Sequence, residues 1–211
     1  MTIACIAEAH GFPARIRFGI DHGRCLAMST GPRLLPMFCP QRHINEDSSF
    51  CLGFKAGFFI ASSDGARAWW RKLEVFLLCQ ETANATRIWP RALQISHGAA
   101  GEIELSAEEL ATAIGLLEEY REAVRFESGP VARAVKLIRG KTGRLRNGRA
   151  ACLCGRNNKR GKTKLRRECW KAGDPCLPVI ERQRRIAEEE FWRRVARHPC
   201  CGTMANCPLQ V

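Results

Sequence analysis

The chain has 211 residues, 45% hydrophobic and 26% charged, enough apolar material for a core and too much for a chain disordered throughout. Its charge is lopsided: residues 1–129 carry 13 Lys and Arg against 15 Asp and Glu, a net of −2, while 130–211 carry 21 against 6, a net of +15. Twelve cysteines follow a start, Met1-Thr2-Ile3-Ala4-Cys5, that lacks a basic-then-apolar leader, and no apolar run reaches the length of a membrane span. An exported disulfide framework and a membrane protein are therefore not expected; the composition fits a cytoplasmic protein whose cysteines serve as metal ligands or nucleophiles.

In chain order, Phe12 to Ile20 alternates apolar and basic residues around Ala14–Phe18, the period-two pattern of a half-buried strand. Asp21-His22-Gly23 supplies a turn, and Arg24 to Met28 can return as its hairpin partner. Gly31-Pro32 and Pro36 then lead, as an extended segment, into Cys39-Pro40-Gln41-Arg42-His43-Ile44-Asn45-Glu46-Asp47-Ser48-Ser49-Phe50-Cys51-Leu52-Gly53. Polar turn formers separate His43 and Asn45 from Cys51, which puts the cysteine at the end of a loop. Phe50 and Leu52 can anchor its backbone in a core while the sulfur faces a cleft. A held, partly exposed thiolate is a nucleophile, and an asparagine amide nearby can donate to an oxyanion forming on a carbonyl joined to that sulfur. The competing role for Cys51 is that of a small packed hydrophobe.

This stretch resembles the active-site segment of ubiquitin-conjugating enzymes, and most of all the bacterial branch of that superfamily. Ile44 replaces the family's proline, Ser48 stands where glycine is expected, and the Asn-to-Cys spacing is two residues shorter than in the eukaryotic enzymes. The resemblance implies an α+β fold, a short antiparallel strand meander with following helices, truncated relative to the full family fold at the usual N-terminal helix and in its strand region. It implies that Cys51 carries a ubiquitin-like modifier as a thioester, received from an adenylating activating enzyme and passed to an amine of a protein target. Asn45 would stabilise the oxyanion and His43 would brace the loop.

A helix is predicted from Asp64-Gly65-Ala66 to Ala85, with Ser62, Ser63 or Asp64 as its cap and Trp69, Leu73, Phe76, Leu77 and Gln80 on one face. Trp69-Trp70 reads as core and lip. His97 is a weak candidate base, outweighed by a structural role before a helix. Ser106-Ala107-Glu108-Glu109 is read as opening the next helix, with Leu110, Ile114, Leu117, Tyr120 and Val124 buried. A short helix over Val131–Ile138 and a basic, glycine-punctuated linker over Arg139–Arg149 follow. Gly161-Lys162-Thr163 fails the Walker spacing and is rejected as a phosphate loop.

The C-terminal part holds Cys152-Leu153-Cys154-Gly155, Cys169 and Cys176, then, after a helix over Pro178–Ala196, His198, Cys200, Cys201 and Cys207. Paired cysteines on tight turns give zinc two ligands from one loop, so these eight residues are the candidate ligands of one or two structural zinc ions. Cys-x-Cys-Gly followed by basic residues and Cys resembles the small SEC-C zinc-binding motif, with Trp170 in place of its last ligand and the fourth ligand open between Cys176 and Cys200 or Cys201. Basic runs (Lys159, Arg160, Lys162, Lys164, Arg166, Arg167, then Arg182, Arg184, Arg185) fit a solvated surface, or attraction to nucleic acid or an acidic protein. The domain reading is a conjugating-like domain over 1–128, a basic helical linker over 129–150 and a cysteine-rich zinc-binding module over 151–211. The rival to transfer is a non-enzymatic zinc-binding adaptor contacting nucleic acid or an acidic partner.

Overall fold

The computed structural model describes residues 6–7, 15–21, 24–30, 35–58, 60–138, 146–172 and 176–210. The chain forms two compact units, unit 1 from residues 1–95 with 192–211, and unit 2 from residues 96–191. Together they make an α+β protein in which antiparallel strands come first and helices follow.

Unit 1 begins with a sheet of strands β1 (Ile6–Ala7), β2 (Arg15–Asp21) and β3 (Arg24–Thr30), antiparallel in the order β1-β2-β3. The β2–β3 register pairs Ile16 with Ser29 and Phe18 with Ala27. Alternation then puts Ile16, Phe18 and Ala27 on one face, where Ile16 and Ala27 are fully buried and Phe18 packs on Trp69 and Trp70. The predicted hairpin is thus present; its turn residues His22 and Gly23, like Gly31 and Pro32, lie outside the described residues.

Helix α1 (Ser63–Thr86) begins where Ser62 Oγ accepts the Gly65 N–H at 3.1 Å, an N-cap the sequence offers. Its buried face is Trp69, Leu73, Phe76, Leu77 and Gln80, as the three-and-four spacing predicts, with Cys79 and Ala83 added. Trp69 is buried and Trp70 is 42% exposed, so the pair is core and lip. The helix ends at Arg87 in the left-handed region, and the C-terminal segment of unit 1 docks there: the Ala205 N–H donates to Arg87 O at 2.8 Å, and Arg87 Nη2 to Gly202 O at 3.0 Å.

Unit 2 contains α2 (Ala99–Ala113), α3 (Leu117–Phe126), α4 (Gly129–Lys136), α5 (Arg166–Ala172) and most of α6 (Leu177–Val195). Ser106 does not open a helix. It lies inside α2, where its hydroxyl donates back to Glu102 O at 3.2 Å, and the alanine-rich stretch from Ala99 carries the helix start seven residues earlier. The predicted continuous face is also split, since the chain turns at Gly115, with φ of 70°, before α3 begins. The apolar positions were nonetheless well chosen. Tyr120 sits at the centre of a core with Ala107, Ala111, Ala123, Val131, Ala132 and Leu177, and Leu110, Ile114, Leu117 and Val124 pack against it. The expected domain end at 128 falls between α3 and α4, which share this core.

Candidate active site and metal centre

The Cys51 loop is built from its own backbone. Cys39 and Ile44 exchange backbone hydrogen bonds at 3.0 and 3.2 Å around a 3-10 turn, Pro40–Arg42, which ends on His43 with φ of 52°. The chain then doubles back as a short ladder, with Asn45 N–H to Ser49 O at 2.9 Å and Cys51 N–H to His43 O at 2.7 Å. Ile44 and Phe50 are the pair between these bonds. Both are buried, and Phe50 stacks on Phe76 of α1 at 4.6 Å. Phe50 also donates to Ala27 O at 2.8 Å, so the loop is attached to β3 on one side and to α1 on the other.

This ladder sets which residues face one another. Cys51 stands opposite His43, Asn45 stands opposite Ser49, and the pleat directs Cys51 to the face away from Phe50. Asn45 is the diagonal neighbour of Cys51, a position about 7–8 Å away between Cα atoms and within reach of a side chain. The Asn45 amide donates one hydrogen to Ser49 Oγ at 3.0 Å, which orients the group and leaves its second N–H as a donor. Cys51 is half-buried. His43 is 1% exposed, with its ring edge-on to Trp89 at 4.9 Å, a packing that holds the 3-10 turn in place.

Arg42 is the residue the sequence reading missed. It is 1% exposed, and its Nε donates to Gln80 Oε1 at 2.7 Å while Nη2 reaches Gln80 O and Asn84 Oδ1 at 3.2 and 2.5 Å. Gln80 Nε2 returns a bond to Arg42 O at 2.7 Å. A reciprocal pair of this kind fixes the loop on α1; the one signal in the sequence was Gln80, a polar residue on an otherwise apolar helix face.

In unit 2, residues 151–165 form a narrow hairpin, with Cys152 N–H to Lys164 O at 2.9 Å and Lys164 N–H to Arg156 O at 2.7 Å. One limb carries Cys152 and Cys154, and Cys169 lies on α5 just beyond the other. The three sulfurs lie within 4.8 Å of one another, and Cys154 and Cys169 are 3.7 Å apart. A tetrahedral zinc site with Zn–S bonds of about 2.3 Å has sulfur–sulfur edges of about 3.8 Å, so the donor set fits a thiophilic ion. Cys176 is near enough to be influenced by the charges of Cys152 and Cys154, and is the local candidate for a fourth ligand. Burial pushes the Cys169 thiol up to about 12, and its neighbours Cys152 and Cys154 add to the shift. Cys154 moves the other way: burial opposes it, but the Arg156 amide and the adjoining thiols hold it below its usual range. Thiolate is the form of cysteine that binds a metal.

The eight candidate ligands are divided between the units: Cys152, Cys154, Cys169 and Cys176 belong to unit 2, and His198, Cys200, Cys201 and Cys207 to unit 1. His198 has its Nε2 3.1 Å from Glu46 Oε1 and its ring on Phe38 at 4.7 Å. His97 is structural. Its Nδ1 lies 2.6 Å from Glu188 Oε1, its backbone N–H donates to Glu188 Oε2 at 2.8 Å, and its ring stacks on Phe191. Among the described residues no helix is long and apolar enough to cross a membrane.

With a strand-and-helix framework holding a cysteine loop, and a helical unit holding clustered thiols, the chain is of the bacterial E2-like class with a cysteine-rich module. Residues 6–91 match the family described as a prokaryotic E2 domain. Residues 96–209, more than half of the chain, match the family described as a cysteine-rich domain, C-terminal to E2 domain, and the protein belongs to that family. No curated protein and no solved structure matches the chain significantly.

Proposed function

We propose that the protein transfers a ubiquitin-like modifier through a thioester on Cys51. The Cys51 sulfur attacks the carbonyl of the modifier's C-terminal thioester on an adenylating activating enzyme, whose thiol leaves. An amine of the protein target then attacks the new thioester, and Cys51 departs as thiolate. Asn45 donates its second N–H to the oxyanion in each step, and His43 holds the turn. The observation that carries this reading is the ladder that sets Asn45 diagonal to Cys51 while Phe50 anchors the intervening backbone. Cys152, Cys154, Cys169 and Cys176 hold a structural zinc ion; four thiolates close its coordination and leave no open position for catalysis. Lys159, Arg160 and Lys162, exposed at the hairpin tip, are the residues for contact with an acidic protein or nucleic acid.

Trapping tests the transfer. Tagged wild type expressed in its native host should carry a reductant-sensitive adduct of small-protein mass, and Cys51→Ser should carry the same mass as a reductant-resistant oxyester. Asn45→Ala should keep the wild-type adduct but slow its discharge to amine by roughly 100-fold, the usual scale for loss of one oxyanion donor. No adduct on either Cys51 form, with modifier and activating enzyme present, would move the function to a zinc-bearing adaptor.

A further inference from the structure

Of the described cysteines that the Cys152 centre leaves unused, four gather in unit 1. The Cys39 sulfur, at the head of the Cys51 loop, lies 3.0 Å from Cys201 Sγ. Cys207 contacts Cys200 thiol to thiol and also feels the charge of Cys201, while Cys39 feels that of Cys207, so the four sulfurs form one group made of two pairs.

Cys200 Sγ accepts the Gly202 N–H at 3.3 Å, and Cys201 Sγ lies 3.0 Å from Thr203 Oγ1. A donor aimed at sulfur favours thiolate, the form that binds metal.

A buried cation supplies an independent observation. The side chain of Arg42 is held by the neutral amides of Gln80 and Asn84, and the titratable groups close enough to act on its charge are the thiols of Cys39 and Cys201. Neutral thiols would leave that guanidinium without a counter-charge, which is costly at 1% exposure. Four thiolates on a divalent ion carry a net charge of −2 and provide one.

We propose that Cys39, Cys200, Cys201 and Cys207 form a second tetrathiolate site for a divalent thiophilic ion, zinc by preference, joining the C-terminal segment to the head of the Cys51 loop. Among the described residues only the Cys152 triad has all its sulfurs within 4.8 Å of one another, so the ion would draw the two unit 1 pairs together as the thiol protons pass to solvent. The site stands apart from the transfer reading.

The test is metal counting on the full chain, purified under reducing conditions, by native mass spectrometry with zinc as the only added ion and a weak chelator present. Wild type should hold two ions. Cys39→Ser, Cys207→Ser and Cys152→Ser should each hold one, and the Cys39→Ser/Cys152→Ser double variant none. Cobalt(II) loading should lose half of its thiolate charge-transfer absorption in each single variant and none in a Cys25→Ser control. Circular dichroism separates loss of a ligand from loss of fold, and Cys200→Ser, on the chain's last segment, repeats the test should Cys39→Ser unfold. Two ions in both Cys39→Ser and Cys207→Ser, or one ion in wild type, overturns the proposal. So does a Cys39–Cys201 disulfide in the protein as isolated from cells, which would give the pair to redox chemistry. Cys51→Ser leaves the count at two whatever becomes of transfer, so either reading can fail alone.

Discussion

Each unit buries an arginine, and the two are neutralised in opposite ways. In unit 2, Arg184 donates Nε and Nη2 to the two oxygens of Glu181 at 2.7 and 2.8 Å, and Arg185 Nε adds a third bond at 2.7 Å. Burial works against the Arg184 charge, but the Glu181 carboxylate outweighs it and raises the guanidinium above its usual range. In unit 1, burial dominates and Arg42 is pushed down, with only the two thiols opposing. The first pair lies three residues apart on one helix and is complete once α6 forms. Arg42 takes its partners from 38 and 42 residues away, so its environment exists only in the assembled unit. Arg184 adds one distant bond, Nη1 to Ser96 Oγ at 2.8 Å, to a local ion pair, whereas Gln80 and Asn84, which hold the Arg42 side chain, are both distant.

Substitutions at three positions break or sharpen this contrast. Glu181→Ala should have the largest effect, about 3–5 kcal/mol, because it strands a buried guanidinium. Hydrogen exchange should show α2, α3 and α4 losing protection well before α1. Arg42→Ala should cost about 2–3 kcal/mol in urea denaturation, the scale of charged hydrogen bonds lost together with their packing. Arg42→Met, which keeps volume and removes the buried charge, should be milder in chelator. Added zinc should then stabilise wild type more than Arg42→Met. Equal gains would mean that the guanidinium is satisfied by amides alone. Ser48→Gly is the smallest change: Ser48 sits at φ of 64°, and glycine relieves the strain of that conformation while adding freedom to the unfolded chain. A shift below about 1 kcal/mol, read by thermal unfolding, would mark the loop as tolerant there.

What the sequence disclosed follows the same division. The hairpin, the Ser62 cap, the α1 face and the Cys152–Cys154 turn are set by neighbours within a few residues, and each was legible from spacing. Ser48 was legible too: flagged as the place of a glycine, it adopts the left-handed backbone that glycine favours. Ser106 misled because a serine followed by two glutamates mimics a helix start, whereas alanine propensity upstream had already begun the helix at Ala99. Arg42 and Cys39 carried no local signature. Their partners, Gln80 and Cys201, are identified only by the folded chain, and no periodicity links residues so far apart.

The boundary between the units falls within α6, between Phe191 and Trp192, so unit 1 is discontinuous. Synthesis proceeds from the N-terminus, and domains fold as their residues emerge. Cys51 and α1 are therefore made before the segment that caps Arg87 and meets Cys39. Bringing Cys39 to Cys201, 162 residues apart, carries a closure entropy of roughly 4–5 kcal/mol if the intervening chain is unstructured, and much less once unit 2 has folded and shortened the path. Unit 2 thus acts as a folding spacer for unit 1, and a chain interrupted before Cys200 would hold Cys51 without the contacts that finish its framework.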